Sequence, residues 1–140
     1  MILYCDTSAW VKRYVDEDGS AAVAAAVGDC TAVALSRITW VEMMSAFARR
    51  VREQAAAAAA IDAARARLAL DWPSCLVIEV TQPLVELAGE YAEAFALRAY
   101  DSLQLASAQV LRQHSTEELR FACFDQRLRK AAAVLGMAGL

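Results

Sequence analysis

Four short apolar runs, Met1–Cys5, Thr31–Leu35, Leu76–Val80 and Arg120–Phe124, are separated by segments with helical spacing, and this alternation constrains the fold more than any other feature. Strands joined through helices pair in parallel by crossovers, because a tight hairpin can only join antiparallel neighbours. The expectation is an α/β fold of three layers, α/β/α, about a central parallel sheet. Right-handed crossovers would bring the carboxyl ends of the strands and most helix N-termini to one edge of that sheet, the edge where ligands of such folds bind. At 140 residues the chain is expected to be one domain spanning 1–140, long enough to bury roughly two-thirds of its unfolded surface.

Between the runs the helical periods are legible. Ala9–Val15 follows the first strand, Asp16–Gly19 breaks the chain, and Ser20–Val27 is a short Ala-rich helix. Ser36 reads as the cap of a long helix with a buried stripe of Ile38, Val41, Met44, Ala48 and Val51. The alanine run from Ala55, continued by Ile61, Ala64 and Leu68, predicts a helical arm, because Ala is the strongest helix former. Asp71–Ser74 ends it. Thr81 caps the next helix, whose first turn tolerates Pro83 and whose inner face carries Leu84, Leu87, Ala88, Tyr91 and Phe95. A further helix occupies Arg98–Leu111, and the last runs from Asp125 to Gly136.

Four acids stand where this topology would gather them. Asp6 and Asp125 directly follow apolar runs, Asp101 sits at the mouth of a helix of apolar and small residues, and Glu42 lies beyond the cap of its helix. Each Asp taken alone is an ordinary helix cap, and a Glu beside an apolar stripe can snorkel to water. Gathered within a few ångströms, the four could not all stay ionised without a cation, and in a metal-free chain at least one carboxyl pKa would be raised. An oxygen-only donor set favours Mg²⁺, with Mn²⁺ able to substitute, and suits metal-assisted phosphodiester hydrolysis. Thr7, Ser8 and Ser102, each next to an acid, are candidates to orient carboxylates or water.

Composition narrows the alternatives. With His114 the only histidine, in a solvated stretch, and Cys5, Cys30, Cys75 and Cys123 scattered without a C-x-x-C pair, neither a zinc site nor a disulfide framework is expected. No 18-residue apolar stretch and no signal-like leader occur, so a cytoplasmic protein with no membrane association is expected. The net charge of −3 has the wrong sign for coating nucleic acid by bulk electrostatics, so any nucleic-acid contact must be local and aided by a cation. Trp10, Trp40, Met43 and Met44 suggest more apolar helix surface than the chain readily hides, and therefore a partner.

Four segments together, ILYCDTSAWVKRY, TWVEMMSAF, LRAYDSLQLASA and FACFDQRLRKAA, resemble the PIN domain, and more closely the VapC-type toxins of bacterial toxin–antitoxin pairs. The resemblance spans essentially the whole chain and lies in the ordered set of motifs. It implies a PIN-like fold and an Mg²⁺-dependent endoribonuclease with Asp6, Glu42, Asp101 and Asp125 as its acidic quartet. It further implies an RNA substrate, a homodimer and an antitoxin peptide in a groove near the active site. One departure is visible, since family members often carry His where this chain has Gln104; Gln104 is not one of the acids, so the departure is expected to leave metal binding intact and to affect local substrate contacts only. A receiver domain would need paired acids after the first strand, and a haloacid-dehalogenase-like phosphatase would need Asp-x-Asp there; Thr7 and Ser8 exclude both. A non-toxin PIN ribonuclease and a non-catalytic binding module of the same fold remain alternatives.

Overall fold

The computed structural model describes residues 1–140. Four strands, β1 (Ile2–Cys5), β2 (Ala32–Ser36), β3 (Leu76–Ile78) and β4 (Leu119–Ala122), form one sheet in the order β3-β2-β1-β4. All three pairings are parallel, with Leu3 opposite Val33 on one side and Arg120 on the other. Six helices connect them, α1 (Thr7–Trp10), α2 (Ser20–Asp29), α3 (Thr39–Glu53), α4 (Ala58–Asp71), α5 (Gln82–Phe95) and α6 (Ala99–His114), and α7 (Gln126–Val134) follows β4.

The central strand β1 is buried on both faces, and strand alternation divides the core in two. Leu3 and Cys5 pack with Ala9, Trp10, Met43, Phe47, Ile61 and Leu68 from α1, α3 and α4. Ile2 and Tyr4 turn the other way, onto Leu105, Ala108, Leu128 and Ala131 from α6 and α7. Helix α5 packs on α6 through Leu84 and Ala88, the face its period predicted. The three-layer α/β/α arrangement follows from a fully apolar strand that must be covered twice.

Several boundaries differ from expectation. Ser36 does not cap the long helix; it is the fully buried last residue of β2, paired with Ile78, and α3 begins three residues later with Ile38 as N-cap. Glu42 consequently stands in the first turn of α3. The buried stripe shifts with it to Thr39, Met43 and Phe47, while Val41 is 55 % exposed. Strand β4 stops at Ala122 because the Phe124 N–H is drawn to the Ser8 hydroxyl, at 2.8 Å, and away from the ladder. Edge strand β3 stops at Ile78, where β2 also ends. Instead of a helix over Ala9–Val15, α1 passes directly into a tight 3₁₀ turn at Val11–Arg13. The expected surplus of apolar surface is smaller than thought: Trp10 and Met43 are buried and Met44 half-buried, leaving Trp40 exposed with its ring edge-on to Trp72.

Gly19 opens α2 with φ of +93°, and a Cβ there would lie 2.6 Å from the Phe124 ring, beside Asp125. Gly28 has nothing within 4 Å of its Cβ position. Gly19→Ala should therefore destabilise the protein by about 1–3 kcal/mol, and Gly28→Ala should stabilise it by about 0.4–1 kcal/mol by restricting the unfolded chain. Urea midpoints of the two variants read both; equal shifts of one sign would contradict this account of the Gly19 turn.

Candidate active site

Strand β1 has its next neighbour in the chain, β2, on one side and the last strand, β4, on the other, so the strand order reverses there. At such a reversal the connections leave in opposite directions and open a crevice outside the carboxyl ends. Asp6 follows β1 directly and Asp125 follows β4 by two residues. The Asp6 N–H continues the pairing by donating to the Ala122 carbonyl at 3.1 Å.

Asp6 is the N-cap of α1 and only 4 % exposed. Its Oδ1 accepts from the Ser8 hydroxyl at 2.7 Å and from the Ala9 N–H at 3.2 Å. Burial nevertheless pushes its carboxyl up from the ordinary 3.8 to about 6, with those hydrogen bonds offsetting only part of the desolvation. Asp125 caps α7, its Oδ1 accepting from the Leu128 N–H at 2.9 Å. Capping and site geometry are thus compatible in both residues, because a cap uses one carboxylate oxygen and leaves the other.

Asp101 is no cap. It lies in the first turn of α6, whose N-cap is Arg98, and its Oδ2 accepts from Arg98 Nε at 3.1 Å. The same guanidinium reaches Asp125 Oδ2 at 3.9 Å, so Arg98 bridges two of the four acids. Glu42 Oε1 accepts twice, from Thr7 Oγ1 at 2.9 Å and from Gln104 Nε2 at 2.7 Å, while Oε2 has no donor in the chain.

These groups line connected depressions. A cavity of about 620 Å³ is walled entirely by polar residues, with Arg98, Asp101 and Asp125 beside Gln126, Arg127 and Lys130. Arg98 and Asp101 also border a cleft of about 390 Å³ with Glu42 and Tyr100. Glu42 and Tyr100 in turn border a groove of about 910 Å³ running along α3 and the α1 turn. The structure therefore brings Asp101 to Asp125 through Arg98, and Asp101 to Glu42 across one cleft. Asp6, 4 % exposed, lines none of these depressions.

No three acidic, histidine or cysteine side chains stand close enough together to hold a metal ion. The donor chemistry still fits a hard divalent cation: every candidate ligand is a carboxylate oxygen, and a positive group, the Arg98 guanidinium, already sits between Asp101 and Asp125. Thr7 and Ser8 each donate to one of the acids, but Ser102 does not orient a carboxylate. It is buried and donates back along its own helix to the Arg98 carbonyl at 2.9 Å. Gln104 departs furthest from expectation: at 1 % exposure it cannot touch a substrate, and it bonds Glu42 instead. Sequence reading passed over Arg98 as well, although a cation three residues before an acid at a helix start is a legible pair. His114 ends α6 and donates from Nδ1 to its own helix's Val110 carbonyl, and all four cysteines are free.

Residues 3–134 match the family model described as PIN domain. The chain is 30 % identical over 135 residues to ribonuclease VapC45 of Mycobacterium tuberculosis strain CDC 1551, covering 96 % of this chain and 92 % of that protein. It has the same identity and coverage with ribonuclease VapC49 of strain H37Rv. Among solved structures, it resembles VapC20 of M. tuberculosis, a sarcin–ricin loop cleaving toxin, with a TM-score of 0.66 and 21 % identity over 92 % of this chain and 94 % of that one. FitAcB of Neisseria gonorrhoeae is similar in fold, with a TM-score of 0.65 and 22 % identity over 100 % and 96 % of the two chains. A toxin–antitoxin complex of Klebsiella pneumoniae gives a TM-score of 0.64 at 18 % identity over 89 % and 87 %.

The raised carboxyl of Asp6 carries a signed prediction. Its folded pKa of about 6 exceeds the unfolded value, so the folded state binds the extra proton, and stability falls as pH rises through 6. Without metal at pH 7 the ionised, buried group costs about 3 kcal/mol. Asp6→Asn keeps the cap and removes the charge, so in EDTA it should melt above the parent at pH 7, by a margin that shrinks as pH falls from 6 toward 4. A margin independent of pH would contradict the burial argument.

Proposed function

The chain belongs to the PIN-domain family, among the VapC-type ribonucleases, and we propose that it is a divalent-metal-dependent endoribonuclease acting as the toxin of a toxin–antitoxin pair. The observation that carries this reading is the meeting of Glu42 and Asp101 across one cleft at the sheet edge, in a chain whose PIN match runs nearly end to end. In this reading residues 1–140 are one PIN domain, Asp6, Glu42, Asp101 and Asp125 hold Mg²⁺ or Mn²⁺, and single-stranded RNA is cut. The metal, when bound, lowers the pKa of a water and offsets the charge that develops on the phosphate.

The chain's own groups have separable tasks. Thr7 and Gln104 hold the Glu42 carboxylate by one oxygen, and Ser8 with the Ala9 N–H holds Asp6 by one oxygen. Arg127 and Lys130, on the wall of the Asp101–Asp125 cavity, attract the phosphodiester backbone locally, which an acidic protein of net charge −3 needs. Arg98 offsets part of the charge of Asp101 and Asp125, and its exposed guanidinium would suit a phosphate oxygen.

An antitoxin partner is supported by the relatives and by the 910 Å³ groove. Val11, Val15, Val41 and Phe47 supply its apolar floor, and Glu17, Arg49, Arg50 and Glu53 its charged rim. That combination suits the apolar face of an amphipathic peptide. A homodimer and a cytoplasmic setting belong to the same reading; no helix is long and apolar enough to cross a membrane.

The purified protein should cleave single-stranded RNA with Mg²⁺ or Mn²⁺ and stop in EDTA. Glu42→Ala and Asp101→Ala should each slow cleavage by about a hundredfold or more with unchanged circular dichroism. A folded Glu42→Ala protein that cut RNA at the parental rate would overturn the acidic site. Expression of the intact operon should yield the chain bound to a small neighbouring protein, and a strict monomer with no partner would contradict the toxin assignment.

A further inference from the structure

Gln104 lies in the middle of α6, 1 % exposed, one turn before the buried Ala108 and next to the buried Leu105. Packing alone does not call for an amide there. A leucine would fill the space without leaving four hydrogen-bonding positions to satisfy, and a buried amide that misses its partners is costly. Its partners therefore carry the information. Nε2 donates to Glu42 Oε1 at 2.7 Å and to Thr39 Oγ1 at 3.1 Å, and lies 3.3 Å from Thr7 Oγ1. Oε1 accepts from the Tyr4 hydroxyl at 2.7 Å.

The orientation of this amide is determined by chemistry. An ionised carboxylate only accepts, so the group facing Glu42 must be the NH₂ end, and the carbonyl end must then face Tyr4. Tyr4 is itself fully buried, with its ring stacked on Phe121 at 5.4 Å and 5°. Burial raises its hydroxyl well above the ordinary value, so it stays a donor. A continuous line of hydrogen bonds thus runs from the centre of β1, through α6, to the Glu42 carboxylate. With Oε1 taken by Thr7 and Gln104, Oε2 is the oxygen left over at the cleft shared with Asp101.

We propose that Gln104, oriented by Tyr4, is a positioning residue that fixes Glu42 so that its second oxygen is preset for a divalent cation. The proposal deepens the metal-dependent nuclease reading and rests on it. It gives the Gln104 departure a function: a neutral side chain with two N–H donors and one acceptor completes a relay that a one-donor side chain completes differently.

The test compares the parent with Gln104→Leu, Gln104→His, Tyr4→Phe and the double variant Tyr4→Phe/Gln104→Leu. Two readouts are taken: Mn²⁺ binding by electron paramagnetic resonance without RNA, and cleavage kinetics with Mn²⁺. Gln104→Leu should weaken Mn²⁺ binding by about tenfold and lower kcat by about 10–100-fold, with KM for RNA within about threefold and a lower melting temperature in EDTA, because the buried Tyr4 hydroxyl loses its acceptor; the double variant, which lacks that hydroxyl, should regain melting temperature but not Mn²⁺ binding. Gln104→His, which keeps an N–H at the same helix position, should recover most of both losses. Tyr4→Phe should cause a smaller loss in the parent and none in the Gln104→Leu background, because the hydroxyl acts only through the amide. Parental Mn²⁺ binding and kcat in Gln104→Leu, or additive losses in the double variant, would overturn the proposal. Should Gln104→Leu fail to fold, Tyr4→Phe decides alone, since it removes a single oxygen, and parental values there would overturn it. A parent that binds Mn²⁺ but cuts no RNA would refute the nuclease reading and leave the binding comparison able to judge Gln104.

Discussion

The parallel pairing of β1 with β2 on one side and β4 on the other is the constraint on which the acidic edge rests. Because β4 arrives last and pairs at the opposite side of the first strand, the residues after both strands emerge at the same edge of the sheet. The crossovers then deliver the first turns of α3 and α6 to the same edge, and with them Glu42 and Asp101. A helix start is a favourable place for each of these carboxylates, since the exposed N–H groups and the positive end of the helix stabilise negative charge. The fold thus supports four acids at four helix N-termini before any metal enters.

That support is incomplete, and the incompleteness has direction. Asp6 is held by two hydrogen bonds and still carries a raised carboxyl, because burial outweighs them. Arg98 offsets the charge of Asp101 and Asp125 at the open side of the site, where its own 79 % exposed side chain makes the interaction weak and easily exchanged. An arrangement strained inside and loosely neutralised outside is one that a divalent cation would stabilise by mass action, by about 1.4 kcal/mol at ten times its dissociation constant.

Much of this was legible in the chain itself. Strand–helix alternation is strong evidence for a parallel sheet, and acids immediately after strands have their location decided by topology alone. What escaped reading depended on where one element hands over to the next. Ser36 has the chemistry of a cap and serves instead as a strand residue, and those three residues of difference rotate α3 so that Thr39 and Met43, and not Val41, face inward. Ser102 and Gln104 are both polar residues on an apolar helix, and no spacing rule tells that one bonds its own backbone while the other reaches across to Glu42. Tyr4 was indistinguishable from any aromatic strand residue until its hydroxyl found an acceptor 100 positions away. Periodicity predicts which face is covered; it carries no record of which buried polar atom meets which.

The central claim is that these carboxylates are ligands of one divalent site. It is tested most directly by crystals of the protein grown with Mn²⁺ and measured for anomalous scattering at the manganese edge. The account predicts a manganese peak in the cleft at about 2.1 Å from carboxylate oxygens of Asp101 and at least one of Asp6 and Glu42, with the Arg98 guanidinium displaced from Asp101. Manganese bound only away from this cleft, with Arg98 still paired to Asp101, would contradict it.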